Sequence, residues 1–96
     1  MKYKIALISL VISLNLFSDQ CNIDLVTVNS GVENAKDYEL RKNYKYAIIE
    51  LNEAIIYAKQ AVEDCENTLT KKEIERLKRD IKSFSVHQEK LKKYLK

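Results

Sequence analysis

Ninety-six residues, with 17 basic and 14 acidic side chains and a net charge of +3, allow a single small domain. One histidine and two cysteines leave too few ligands for a zinc site, and one glycine is too few for a phosphate-cradling loop. Proline is absent, so nothing of that kind interrupts a helix.

The chain opens with Lys2 and Lys4, followed by an apolar run from Ile5 to Phe17. A charged start before a run of this length is the pattern of a secretory signal peptide. At 1.5 Å per residue the run spans roughly 20 Å, short of the roughly 30 Å of a bilayer's hydrocarbon core. Ser9, Ser13 and Asn15 weaken a membrane-spanning reading further. Cleavage after Ser18 assigns residues 1–18 to the signal and 19–96 to the domain. Leu16 departs from the small residue usual three places before such a cut. The alternative is a lipoprotein signal that ends at Cys21 and leaves that cysteine acylated. Ser18-Asp19-Gln20 lacks the Gly or Ala usual before a lipidated cysteine. Either route exports the chain to the periplasm, the cell surface or the medium.

Residues 19–30 read two ways. Ile23, Leu25, Val26 and Val28 suit a strand. Cys21, Leu25, Val28, Val32 and Ala35 fall at helical spacing of four and three. Ser30-Gly31-Val32-Glu33 has the form of a capping box, which would start a fresh helix at Gly31. We therefore expect helix from about 22 to 42, kinked near Ser30 and Gly31, and a turn near Asn43.

The next stretch organises the molecule. Tyr44, Ile48, Leu51, Ile55, Ala58, Val62 and Cys65 form an unbroken seam, and Ala47, Ala54 and Ala61 run beside it. A face this wide can touch two neighbours, so a helix from about 44 to 66 is the expected centre of a bundle. In a hairpin turning at 43, Cys21 and Cys65 are equally far from the turn and lie side by side. Two cysteines in an exported chain point to a disulfide between them. If residues 19–30 are extended they still have the reach to close it. Closing this loop is worth roughly 4 kcal/mol in the chain-entropy treatment. The competing reading leaves Cys65 as a buried thiol.

Thr70-Lys71-Lys72-Glu73 is a second capping box and opens a helix expected over 71–95. Its seam is Ile74, Leu77, Ile81, Phe84, Gln88, Leu91 and Leu95, with Gln88 the polar interruption. Such a residue often fixes register. Residues 19–66 carry five basic and ten acidic side chains, and 67–96 carry ten and four. The basic third helix either complements the acidic hairpin beneath it or offers a face to anionic lipid, polysaccharide or an acidic partner. Nucleic acid is not expected of an exported chain without a recognition motif.

Segment 31–58 resembles one tetratricopeptide-type helical hairpin. Ala35 and Tyr38 sit on the first helix, Tyr44 at the turn, and Ala47, Leu51 and Ala54 on the second. The pattern's early Trp is replaced by Gly31 and its closing proline by Lys59. The resemblance covers about a third of the chain. It implies a helical hairpin capped by a third helix, and the peptide-binding role of such arrays. The leader and composition also resemble small exported proteins of spirochaetes, of the Borrelia type. That resemblance implies a surface or periplasmic protein.

No catalytic constellation emerges. His87 lacks an assignable nucleophile and orienting acid. Glu50, Glu53, Glu63, Asp64 and Glu66 are spread along the central helix as a solvated face, or pair with the third helix. If the third helix runs back along the second, Tyr94 returns to the turn that carries Tyr38, Tyr44 and Tyr46. Arg41, Lys42, Lys92 and Lys93 are there too. These rings either finish the core or form an aromatic and basic tip that docks a partner. Ile49 and Ile56 are seven apart, off the main seam, and suggest contact with a second copy. The expectation is an all-α, small antiparallel three-helix bundle, exported and non-enzymatic, without cofactor or metal, acting by protein–protein contact. The alternative is membrane association, through acylated Cys21 or through the basic third helix.

Overall fold

The computed structural model describes residues 19–95. The leader, with the signal-peptide expectation that falls on it, lies outside them. Three helices follow one another: α1 (Asp19–Leu40), α2 (Tyr44–Asp64) and α3 (Lys71–Lys92), and a 3-10 turn, Lys93–Leu95, closes the chain. There is no strand among the described residues, and the expected all-α three-helix architecture is present. The centre is α2, which packs against both α1 and α3.

The small residues of α2 reach deepest. Ala47, Ala54, Ala58 and Ala61 are completely buried, whereas Tyr44, Ile48 and Val62 are only half-buried. The alanines let neighbouring backbones come close, and the larger seam residues fill the flanks. Gly31 serves the same purpose from α1. A Cβ there would stand 3.1 Å from the Glu50 carbonyl oxygen and 3.3 Å from the Ala54 Cβ. Helix α1 runs unbroken through Ser30 and Gly31, so no fresh helix starts at Gly31. The glycine marks a close approach between helices, and Ser30 and Glu33 are simply exposed.

The predicted bridge joins Cys21 to Cys65, with both residues buried and their Cα atoms 4.9 Å apart. It ties the start of α1 to the end of α2. Around it lies one part of the core, with Val28, Ala54, Ala58, Ala61 and Leu77. A second part, Ala35, Ala47, Leu51 and Leu91, lies towards the α1–α2 turn, and Phe84 packs against both.

Helix α3 starts as its sequence prescribes. The Thr70 hydroxyl accepts from the Glu73 N–H at 3.1 Å, and Glu73 Oε1 accepts from the Thr70 N–H at 2.8 Å. The bond from the Thr70 N–H, and after it the nearby Thr70 side chain, hold the Glu73 carboxyl below its ordinary value. Thr70→Ala removes the cap and is expected to cost about 1 kcal/mol in urea unfolding. Gln88 reaches across to α2, donating from Nε2 to the Ile48 carbonyl at 3.2 Å, so the polar break in the seam has a partner. Leu95 leaves the seam and is exposed. The last turn is a 3-10 helix, and three residues per turn rotate Leu95 away from the line that Leu91 follows.

Candidate contact site at the hairpin tip

The turn between α1 and α2 is built by backbone hydrogen bonds. Lys42 N–H donates to Glu39 O at 2.9 Å, and Asn43 N–H donates to Tyr38 O at 2.8 Å. This is the Schellman closure, which needs a left-handed residue at its penultimate place. Lys42 fills that place with φ 62°. The Asn43 side chain makes no capping bond to α2.

Around this turn the structure gathers part of the tip read from sequence. Tyr44 and Tyr94 stack, with ring centroids 4.4 Å apart and planes 14° from parallel. They line an open cleft of about 430 Å³ together with Lys36, Glu39, Leu40 and Lys42. Tyr38 and Tyr46 form a separate tilted pair at 5.5 Å and do not line it. Arg41, Lys92 and Lys93 also stand outside the cleft wall. Arg41 pairs with Asp37 at 3.3 Å, and Lys92 with Glu89 at 2.9 Å. Sequence reading missed Lys36, Glu39 and Leu40. Lys36 and Leu40 are one helical turn apart on α1, so the Lys36–Leu40 edge was open to discovery once the turn was placed.

Among the described residues Leu40 is the most exposed large apolar side chain, at 83%, and Tyr94 is 63% exposed. Glu39, the carboxylate in the cleft wall, has its Oε1 2.8 Å from His87 Nε2 on α3. This bond bridges the outer helices and gives His87 a structural partner. His87 and Glu39 also line a smaller cleft of about 200 Å³ with Val32, Ala35, Leu51 and Phe84.

A second chemical feature sits at the opposite end. Asp24 on α1 is completely buried, and its Oδ1 accepts from Gln20 Nε2 at 2.9 Å. Its Oδ2 has no donor. Burial, together with the neighbouring Asp64 carboxyl, pushes Asp24 up to about 6, and the Gln20 bond opposes the shift. Two facing carboxyls satisfy each other only when one carries a proton, which then bridges them. Asp64 is exposed, as expected of the solvated face of α2, yet its carboxyl also meets α1. Asp24 went unnoticed in the sequence because it falls one place before Leu25, inside an apolar run.

Comparison with family models, with curated proteins and with solved structures finds no match to this chain. The site's own geometry therefore carries the functional reading. Among the described residues no cluster of three or more His, Cys, Asp or Glu side chains could hold a metal ion. No described helix is long and apolar enough to cross a membrane.

Among the described residues the lysines and arginines of α3 form no ion pair with the acidic hairpin. Lys78 pairs with Glu75 and Lys92 with Glu89, both within α3. Among the described residues the His87–Glu39 contact is the one bond between an α3 side chain and a carboxylate of the hairpin. Ile49 and Ile56 are about half exposed on α2.

Proposed function

We propose that this chain is an exported, non-catalytic contact protein whose hairpin tip docks a protein partner. The observation that carries this reading is the tip cleft, where exposed Leu40, the stacked Tyr44–Tyr94 pair and two lysines surround a carboxylate already bonded to His87. Aromatic rings and apolar side chains next to charge are the materials of binding hot spots. Export is supported by the leader of Lys2, Lys4 and Ile5–Phe17, and by a buried disulfide of the kind that persists in oxidising compartments. The Cys21 sulfur is bonded to Cys65, which favours a stapled protein over one acylated at that atom. The peptide-binding role implied by the tetratricopeptide-type hairpin fits the same reading.

A photo-reactive residue at Leu40 or Tyr94 tests it in the producing cell. The reading expects one discrete protein adduct from both tip positions and none from Arg79 on the outer face of α3. Adducts from Arg79 alone would overturn it. A second reading has one observation behind it: Lys71, Lys72, Arg79 and Lys82 are exposed on α3 and make no ion pair with α1 or α2 among the described residues. Such a face suits anionic lipid or polysaccharide. Flotation with anionic vesicles that high salt abolishes would support it.

A further inference from the structure

Among the described residues Lys42 alone, glycine aside, adopts a positive φ, at 62°. Glycine is the usual occupant of that place in a Schellman closure, because a side chain there crowds the following carbonyl. A strained lysine at an otherwise ordinary helix end invites the question of what its side chain does. It lines the tip cleft, and Lys36 lines the same cleft from one and a half turns earlier on α1. The only carboxylate in the wall, Glu39, is bonded to His87. Beside the two cations stand Leu40 and the stacked Tyr44–Tyr94 rings, with Leu40 and Tyr94 largely exposed.

We propose that the tip cleft binds an acidic peptide segment in which a carboxylate stands next to an apolar side chain. The carboxylate is held by Lys36 and Lys42, and the apolar side chain lies against Leu40 and the open edge of Tyr94. This deepens the proposed function and rests on the tip being the contact surface. Two lysines and one carboxylate leave the wall with one net positive charge, which matches a single carboxylate better than a phosphate dianion. An anionic membrane is a poorer match. The cleft wall offers two cations only, and the Arg41 and Lys92 cations beside it are tied to Asp37 and Glu89.

The test uses amide shifts of the oxidised protein titrated with acetyl-Asp-Leu-Phe-amide, and with its neutral counterpart in which asparagine replaces the one aspartate. The acidic peptide should move amides in 36–44 and near Tyr94, and the neutral one should bind about tenfold more weakly or worse. Lys36→Gln and Lys42→Gly should each weaken the acidic peptide by about tenfold, while Lys42→Arg keeps most of the affinity. Lys42→Gly should at the same time raise the melting temperature by roughly 4–8 °C, since it relieves the backbone. Such a variant folds better and binds worse, which separates the two roles of Lys42.

Equal binding of the two peptides, shifts confined to other surfaces, or full affinity in Lys42→Gly would overturn the proposal. So would vesicles containing phosphatidylglycerol moving the tip amides when the acidic peptide does not. If Leu40 cross-links a partner but the peptides are not distinguished, the contact surface stands and the acidic chemistry falls.

Discussion

Replacing Cys65 with serine will lower the stability of the oxidised protein by about 4 kcal/mol. The bridge spans a sequence separation of 44 residues, so it removes a large share of the freedom of the unfolded chain. A domain of this length is ordinarily stable by about 4–12 kcal/mol, which makes the staple a third of the total or more. The expected fall in melting temperature is roughly 15–30 °C. In reductant the variant and the natural chain should melt together, because neither then has a bridge. Both sulfurs are buried, so reductant should act slowly on the folded protein and quickly once it opens. If the two proteins melt alike without reductant, the bridge does not form.

The second large effect concerns Asp24, and its sign is set by the direction of its shift. Its folded value, about 6, lies above its ordinary 3.8, so the native state holds a proton that the unfolded chain has released. The stabilisation from this proton is fully present below about pH 4 and is lost as pH rises through 6. Above that the buried carboxylate faces Asp64 with no donor on its Oδ2, at a cost on the order of 2–3 kcal/mol. Asp24→Asn keeps an oxygen for Gln20 and supplies an N–H towards Asp64. It should therefore be more stable than the natural chain by about 2–3 kcal/mol at pH 7.5, and nearly equal to it at pH 4. Urea unfolding at both pH values reads the difference. Comparing the two proteins cancels the opposite trend of Glu73, whose lowered carboxyl loses stabilisation as pH falls. A difference that is the same at both pH values would show that no proton is shared.

These two groups stand side by side, yet only one was visible in the sequence. The bridge was legible because Cys21 and Cys65 are equidistant from a turn that the flanking seams fix near Asn43. Asp24 was not, because a lone acid among Ile23, Leu25 and Val26 has the look of an outward-facing residue until the rotation of α1 is known. Gly31 misled for a related reason. Glycine beside a capping pattern suggests a helix start, and only the closeness of Glu50 and Ala54 shows that it is the absent side chain that matters. The seams of α2 and, as far as Leu91, of α3 were legible, as were the Thr70–Glu73 cap and the polar interruption at Gln88. What Gln88 bonds to, the Ile48 carbonyl, needed the third dimension. So did the sorting of the tip. Tyr44 and Tyr94 meet as their positions suggest, but Arg41 and Lys92 turn to partners on their own helices. Lys36 and Lys42 take the cleft instead, the latter by a backbone conformation that its residue type gives no reason to expect.

The proposed contact tip and the bridge lie at opposite ends of the hairpin. The bridge fixes the register of α1 against α2, and with it the positions from which Lys36, Leu40 and Tyr44 face the cleft. Cys21 is central to this account, since its sulfur can close the hairpin or carry an acyl chain through a thioether, but not both. The most direct test is the intact mass of the protein recovered from the cell that makes it, before and after reduction. The account predicts a chain that begins near Asp19, carries no acyl group and gains the mass of two hydrogens on reduction. A chain that begins at Cys21, bears lipid and is unchanged in mass by reductant would contradict it.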